Sequence, residues 1–350
     1  MTFLRNAWYM AAWADEIGDA GLARTIAGKP TFLFRRADGT VAALLDRCPH
    51  RFAPLSKGTR DGDVVVCGYH GLGFGADGKC LRNPFADRIP AGSDIPAFAV
   101  EERDGIVWLW GGEAERADAA LIPDFGFVPD APHSRTVRGY TLMAANYEYG
   151  TDNLLDLSHI EFVHKGTFAG QGVIFGGEHS VQVEGDTLHS NWWMPDIAPP
   201  SVAQGVFPPE AKVDHWLDMR WNAPASMRLH VGVAPHGAGR AAGFEVPQAH
   251  ILTPADDHTT HYFWSSTRYH DLDSAEADAM LLALFGEAFD LEDKPMIEAA
   301  YGNVRGNLSA GGDFWKEKPL SLGIDQGGTR ARRILERMIA QEQVAEQAAG

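Results

Sequence analysis

Short apolar runs broken by turn residues fill the first 110 positions. Residues 31–35 and 41–45 lie on either side of Ala37-Asp38-Gly39, the pattern of paired strands closed by an Asp-Gly turn. Residues 64–66 read as a further short strand and 106–110 as a buried or half-buried one, with a second turn at Ala76-Asp77-Gly78. The pattern then changes. Glycine and charge dominate 111–118, and prolines follow up to Pro132, which marks a connection. Beyond it, residues 187–194, 219–233, 243–253 and 260–268 read as strands, and 273–301 and 328–346, rich in Ala, Leu, Glu and Met, as helices. The expected organisation is a mainly β domain over 1–115, a connection over 116–135 and an α+β domain over 136–350 built on an antiparallel sheet.

Composition narrows the setting. A chain of 350 residues with 45% apolar content can bury two ordinary cores. Its 47 acids against 30 bases give a formal charge of −17, which repels nucleic acid and anionic membranes. An acidic surface can dock a basic redox partner or simply confer solubility. Three cysteines, with no even set at framework spacing, point to a reducing compartment. No run of 18 apolar residues is present and the first residues lack a signal layout, so a cytoplasmic protein with no membrane or nucleic-acid partner is expected.

Two clusters carry the candidate chemistry. Cys48-Pro49-His50 and Cys67-Gly68-Tyr69-His70 each offer one sulfur and one nitrogen, which suits a [2Fe–2S] centre with two Cys on one iron and two His on the other. Structural zinc accepts the same donors, although the Cys-x-His bite is tighter than the common zinc spacings. Both pairs lie at loops, where Pro49, Pro54, Gly68 and Gly71 fit tight turns. The remaining cysteine, Cys80, reads as a small core residue.

The second cluster runs from Asp152 to His164 in an apolar, helix-prone frame. Asp156 and His159, three apart, share a face if the segment is helical. His159 and His164, five apart, are separated by about 140° on a regular helix. Both reach one ion only if the helix ends or distorts between them. Non-haem Fe(II) takes two His and one carboxylate and leaves positions for dioxygen. Asp293, in the helical run 287–294, is the candidate carboxylate. The same residues also read as satisfied partners on a half-buried face, and Asp293 with Asp290, Glu292 and Glu298 as a solvated one.

With both clusters in place, the chain resembles the oxygenase component of Rieske non-haem iron aromatic oxygenases, in the branch of vanillate O-demethylase and dicamba monooxygenase. Arg51 and Gly71 flank the cluster ligands as in the Rieske signature. The resemblance runs nearly end to end, from Asn6-Ala-Trp-Tyr-Met-Ala-Ala-Trp13 through both motifs to Ile324-Asp-Gln-Gly-Gly-Thr-Arg-Ala-Arg-Arg333. It implies an N-terminal Rieske domain and a C-terminal helix-grip catalytic domain. By matched position, Cys48, His50, Cys67 and His70 hold the cluster, and His159, His164 and Asp293 the mononuclear iron; adjacent Glu292 leaves a register ambiguity. Asp156 matches the carboxylate bonding His159 and the His70 of a neighbouring subunit, which implies a homotrimer, and Asn153 a polar residue near the iron.

The same resemblance implies dioxygen as co-substrate and a separate NADH-dependent reductase of flavin and ferredoxin type. The implied reaction is O-demethylation of a vanillate-like methoxylated aromatic acid with release of formaldehyde. Oxidation of an aryl methyl, an N-methyl or the ring by the same machinery is the alternative. Residues 227–231 and His250 lie where this branch builds its pocket, so His250, Leu229 and His230 are candidate substrate contacts. Leu229 replaces a polar contact of the dicamba enzyme. Arg228 faces the opposite side from Leu229 by strand alternation and suits either a substrate carboxylate or a structural ion pair. Phe285 and Phe289 fit a cavity wall or plain core. A Rieske electron carrier without its own substrate, or a zinc-stabilised binding protein, are the readings from other classes.

Overall fold

The Asp-Gly turn joins two strands in the expected register, with Arg35 opposite Val41 and Thr31 opposite Leu45. The computed structural model describes residues 3–168, 172–306 and 314–349. The chain forms two units: Met1–Asp124 with Thr253–Asp257 and Ile339–Gly350, and Phe125–Leu252 with His258–Met338.

The first unit carries strands β1 (Trp8–Trp13), β2 (Leu22–Ile26), β3 (Lys29–Arg35), β4 (Val41–Leu45), β5 (Thr59–Asp61), β6 (Val64–Val66), β7 (Gly73–Phe74), β8 (Cys80–Arg82), β9 (Ala97–Phe98), β10 (Val100–Arg103) and β11 (Ile106–Trp110). They make three small sheets, ordered β1-β11-β10, β2-β3-β4-β9 and β5-β6-β7-β8. One core of Phe32, Phe34, Leu44, Leu55, Val65 and Phe74 also takes in Cys48, Cys67 and Cys80. Cys80 is thus a core residue, its Sγ 3.7 Å from the carbonyl of Arg82.

The second unit is built on a seven-stranded sheet of antiparallel pairings. Its strands are β12 (Arg135–Met143), β13 (Glu178–Glu184), β14 (Thr187–Ile197), β15 (Val213–Asn222), β16 (Ser226–Pro235), β17 (Phe244–Pro254) and β18 (Thr260–Arg268), in the order β12-β18-β17-β16-β15-β14-β13. The expected single strand over 219–233 is instead a hairpin, β15 to β16, with Asn222 opposite Ser226. Pro224 sits in the turn, where its missing N–H and fixed φ stop the ladder. Strands β12 and β13 escaped the reading because they are the edges of the sheet, and β13 is largely solvent-facing, so neither shows a strong apolar pattern.

Five α-helices are formed among the described residues: α1 (Tyr147–Leu155), α2 (Ile160–Val163), α3 (Ala275–Gly286), α4 (Lys294–Arg305) and α5 (Gln326–Ala349). The Ser274 hydroxyl caps α3 by accepting from the Ala277 N–H at 3.1 Å, and Glu276 and Asp278 favour its first turn. The expected helix over 273–301 is α3 running into α4 through a π-helical stretch, Glu287–Asp293. Phe285 and Phe289 lie within 5.6 Å of the Trp264 ring, so this stretch rests on the inner face of β18.

Arg332 of α5 is buried, with 4% of its side chain exposed, and fastens α5 to α1. Its guanidinium donates to Asp152 at 2.7–3.1 Å and to Glu148 at 2.5 Å, with the Phe314 ring centroid 4.2 Å away. A Cβ on Gly327 would stand 2.9 Å from the main-chain carbonyl oxygen of Leu155, the last residue of α1, so glycine there lets the two helices approach this closely. Among the described residues, no helix is long and apolar enough to cross a membrane.

Candidate metal centres

The two Cys-His loops are copies of one backbone device. Cys48 N–H donates to Ala53 O at 2.9 Å and Phe52 N–H to Cys48 O at 2.9 Å; Cys67 N–H donates to Leu72 O at 2.8 Å and Gly71 N–H to Cys67 O at 2.9 Å. Each loop needs a left-handed residue four positions after its cysteine, met by Gly71 at φ 73° and by Phe52 at φ 59°. The cysteines are buried, and the His50 and His70 rings, 4.5 Å apart, lie nearer the surface. Burial pushes the Cys48 thiol up, and neighbouring Cys67 adds to the effect. Two unbridged buried thiols beside two outward imidazoles fit a cluster with one sulfur-held and one nitrogen-held iron.

The second centre forms where α1 ends. The backbone leaves the helix at Asp156, makes a 3₁₀ turn over Leu157–His159, runs through α2 and ends at His164. Asp156 and His159 therefore do not share a helix face, because the helix breaks at Asp156 itself. The Asp156 carboxylate accepts from the Ser158 N–H at 3.1 Å and hydroxyl at 2.6 Å, and its main-chain carbonyl accepts from His159 Nδ1 at 2.6 Å. His164 Nδ1 donates to Glu292 at 2.9 Å. Both Nδ1 atoms are thereby occupied and both Nε2 atoms are left for a ligand.

Those Nε2 atoms face Asp293, His159 at 3.5 Å and His164 at 3.3 Å. One donor atom each of His159, His164 and Asp293 lies within 4.8 Å of the others. Asn153 donates to Asp293 Oδ1 at 3.3 Å. At the acid pair, Asp293 points at the imidazoles, while Glu292 lies behind His164 and takes further bonds from the Thr167 hydroxyl (2.5 Å) and the Gly166 N–H (3.0 Å). Burial disfavours the charged form of both rings. It prevails at His159, whereas at His164 the carboxylates of Asp293 and Glu292 outweigh it and raise the pKa. Two imidazoles and one carboxylate converging from one side fit a non-haem iron.

The three side chains open onto a cavity of about 660 Å³, with His250, Leu229 and Phe285 in its wall. That volume is within the range of small-molecule sites. His230 is elsewhere: strand alternation turns it to the other face of β16, where its Nδ1 meets Glu245 at 2.9 Å. Arg228 shares that other face by the same alternation. Gln248 and His215 line the cavity and went unnoticed in the sequence. Gln248 stands two residues before His250 on one strand, so alternation alone places both on one face.

Tyr262 donates its O–H to His250 Nδ1 (2.7 Å), which places the His250 proton on Nε2, facing Gln248 Oε1 at 3.2 Å. Full burial pushes His250 down to about 4 from 6.5, against an opposing pull from Asp293. On unfolding, His250 gains a proton below pH 6.5 that the folded ring refuses until about 4, so its stabilisation is complete above 6.5 and is lost as pH falls between them. The loss amounts to about 3 kcal/mol. Urea unfolding across this window should show a flatter pH slope in His250→Gln than in the unaltered protein; equal slopes would refute the neutral, buried ring.

A β unit with a twin Cys-His loop device, in one chain with an α+β unit holding a buried His-His-Asp set, defines a Rieske-type, iron-dependent oxygenase. Comparison with known proteins agrees. Residues 7–98 match the Rieske [2Fe-2S] domain family, and residues 143–341 the vanillate O-demethylase oxygenase C-terminal domain family. The chain is 38% identical to the dicamba O-demethylase oxygenase component of Stenotrophomonas maltophilia, over 97% of this chain and 98% of that one. It is 36% identical to the vanillate O-demethylase oxygenase subunit of a Pseudomonas strain, over 99% and 98%. Identity is also 36% to the chloroacetanilide N-alkylformylase oxygenase component of Rhizorhabdus wittichii, over 97% of both. The crystal structure of dicamba monooxygenase bound to 3,6-dichlorosalicylic acid superimposes with a TM-score of 0.91, at 37% identity over 98% of this chain and 99% of that one. The chain belongs to the vanillate O-demethylase family of Rieske oxygenase components, which use a [2Fe–2S] cluster, non-haem iron and dioxygen and take electrons from other proteins.

Proposed function

We propose that this chain oxidatively demethylates a methoxylated aromatic substrate. The observation that carries the reading is the His159–His164–Asp293 set in the wall of an otherwise largely apolar cavity. We assign these three to the iron, and Cys48, His50, Cys67 and His70 to the cluster. Asn153 steadies Asp293. When bound, the iron supplies dioxygen activation with electrons delivered through the cluster. The chain's own share is to hold the methoxy carbon beside the metal between Leu229, Phe285 and Phe289 and to exclude water. One atom of dioxygen would insert into a methoxy C–H bond to give a hemiacetal, which collapses to a phenol and formaldehyde; two electrons and two protons would take the other atom to water.

The expected setting is a cytoplasmic homotrimer with cluster domain 1–115 and catalytic domain 136–350, fed by an NADH-dependent reductase of flavin and ferredoxin type. Asp156 would link His159 to His70 of a neighbouring subunit. A second reading, attack at a carbon attached to nitrogen, is favoured by the chloroacetanilide N-alkylformylase relative. Iron-loaded protein with a surrogate reductase and a panel of methoxylated aromatics should release formaldehyde in step with a phenol. No formaldehyde, from protein shown to hold both iron centres, would transfer the assignment to methyl or ring hydroxylation.

A further inference from the structure

His215 reaches the cavity from β15, two residues before Leu217, and strand alternation aims both side chains at the same face. Its Nδ1 lies 2.8 Å from the main-chain carbonyl oxygen of Gly232. A carbonyl only accepts, so the ring proton sits on Nδ1. The residue is buried, and burial holds the ring below the ordinary histidine range against an opposing pull from the Gly232 bond. The ring is therefore neutral at neutral pH, and its Nε2 carries a lone pair and no proton. That lone pair has no partner among the described residues. The side chains beside it in the two ladders, Met194 and Val233, have no hydrogen-bond donor to offer.

The other polar groups of the wall are of different kinds. Ser201, Ser266 and Tyr269 carry hydroxyls and Gln204 an amide, which donate or accept as a ligand requires. Gln248 accepts from His250 through Oε1 and offers its NH₂. Glu161 is charged, and its two oxygens take the N–H groups of Gly172 and Ile174 at 2.7 and 3.1 Å. Outside the iron seat, His215 differs from all of these as a neutral group that can only accept. A ligand that covers it must bring an O–H or N–H, or leave a buried acceptor stripped of water. Sites of that kind reject the analogue that lacks the donor.

We propose that His215 is a specificity-determining residue: its Nε2 accepts a hydrogen bond from a hydroxyl or amino group on the methoxylated ring, and rings with a methyl group in that place are discriminated against. The inference rests on the demethylation reading for the methoxy group and deepens it by naming a second ring substituent and the residue that reads it. Binding and turnover separate the two. Calorimetric titration of the iron-loaded protein, without reductant, records binding alone. The probes are 2-, 3- and 4-methoxyphenol, each set against the methoxytoluene in which a methyl group of nearly the same size replaces the hydroxyl. At least one methoxyphenol should bind about tenfold tighter than its methyl counterpart. No preference in any of the three pairs would overturn the inference whatever the turnover.

His215→Phe keeps a ring and deletes the acceptor, so the preferred methoxyphenol should weaken about tenfold while its methyl counterpart keeps its affinity. A preference that survives the substitution, in protein retaining its cluster absorbance, would remove His215 from the role. His215→Leu repeats the test if the aromatic variant does not fold, and the comparison in the unaltered protein stands in either case. Formaldehyde from the methoxyphenols with no binding preference would sink this inference and keep the reaction; a preference without formaldehyde would do the reverse.

Discussion

Asp293→Ala empties the second centre of iron, leaves the cluster's visible absorbance intact, and lowers turnover by more than about a hundredfold. The expectation follows from where the carboxylate sits. It is 3% exposed and, among the described residues, is the acid that faces both free Nε2 atoms, so its loss leaves two imidazoles and no carboxylate in the donor set. Glu292→Gln should be milder, costing about 10–100-fold in iron affinity, because Glu292 orients His164 from behind. Iron analysis of both variants beside the visible spectrum decides the matter. An iron-free Glu292 variant beside an iron-replete Asp293 variant would reverse the two roles.

Arg332→Met should destabilise the protein by about 3–5 kcal/mol, the usual cost of stranding buried partners of a removed charge. Glu148 and Asp152 would both lose their counter-ion. Burial already lifts both carboxyls, with Arg332 pulling the other way. The melting temperature should fall on the order of 10 °C. Combining Arg332→Met with Glu148→Leu and Asp152→Leu should recover most of that loss, since an apolar replacement of a whole buried cluster is close to neutral. A drop equivalent to less than about 1 kcal/mol in the single variant would show that α5 is held by its apolar contacts instead.

How far the sequence could be read depended on whether a signal was local. The Cys-His loops were legible because spacing alone fixes the donor set, and the β3–β4 turn because Asp-Gly has few other uses. The β15–β16 hairpin was missed because the apolar pattern continues on both sides of Pro224, the residue that marks the turn. At the iron centre the histidines were legible, but the choice between Asp293 and Glu292 was not, since it is made by a helix irregularity that no periodicity reveals. Asp156 looked like a helix residue because its neighbours favour helix; its side chain instead caps the next turn. His230 was placed beside the substrate by proximity in sequence to Leu229, and strand alternation puts one of any such pair on the wrong side. Arg332 was visible only as part of a tail motif, because its partners lie 180 or more residues away.

A helix is a screw, and the π stretch ahead of α4 adds one step to its thread. Phe285 ahead of it and Phe289 within it turn toward the cavity; downstream, Ile297 and Tyr301 are anchored in the core. Deleting a single residue within that stretch would let it close into regular α-helix, since a π stretch is an α-helix carrying one residue too many. Asp293 would stay with α4, while the side chains between it and Phe285 would be re-aimed by one position. Within a lineage of such chains, a one-codon insertion or deletion at this point can therefore redraw the cavity wall, while every residue that would hold the metal remains in the sequence.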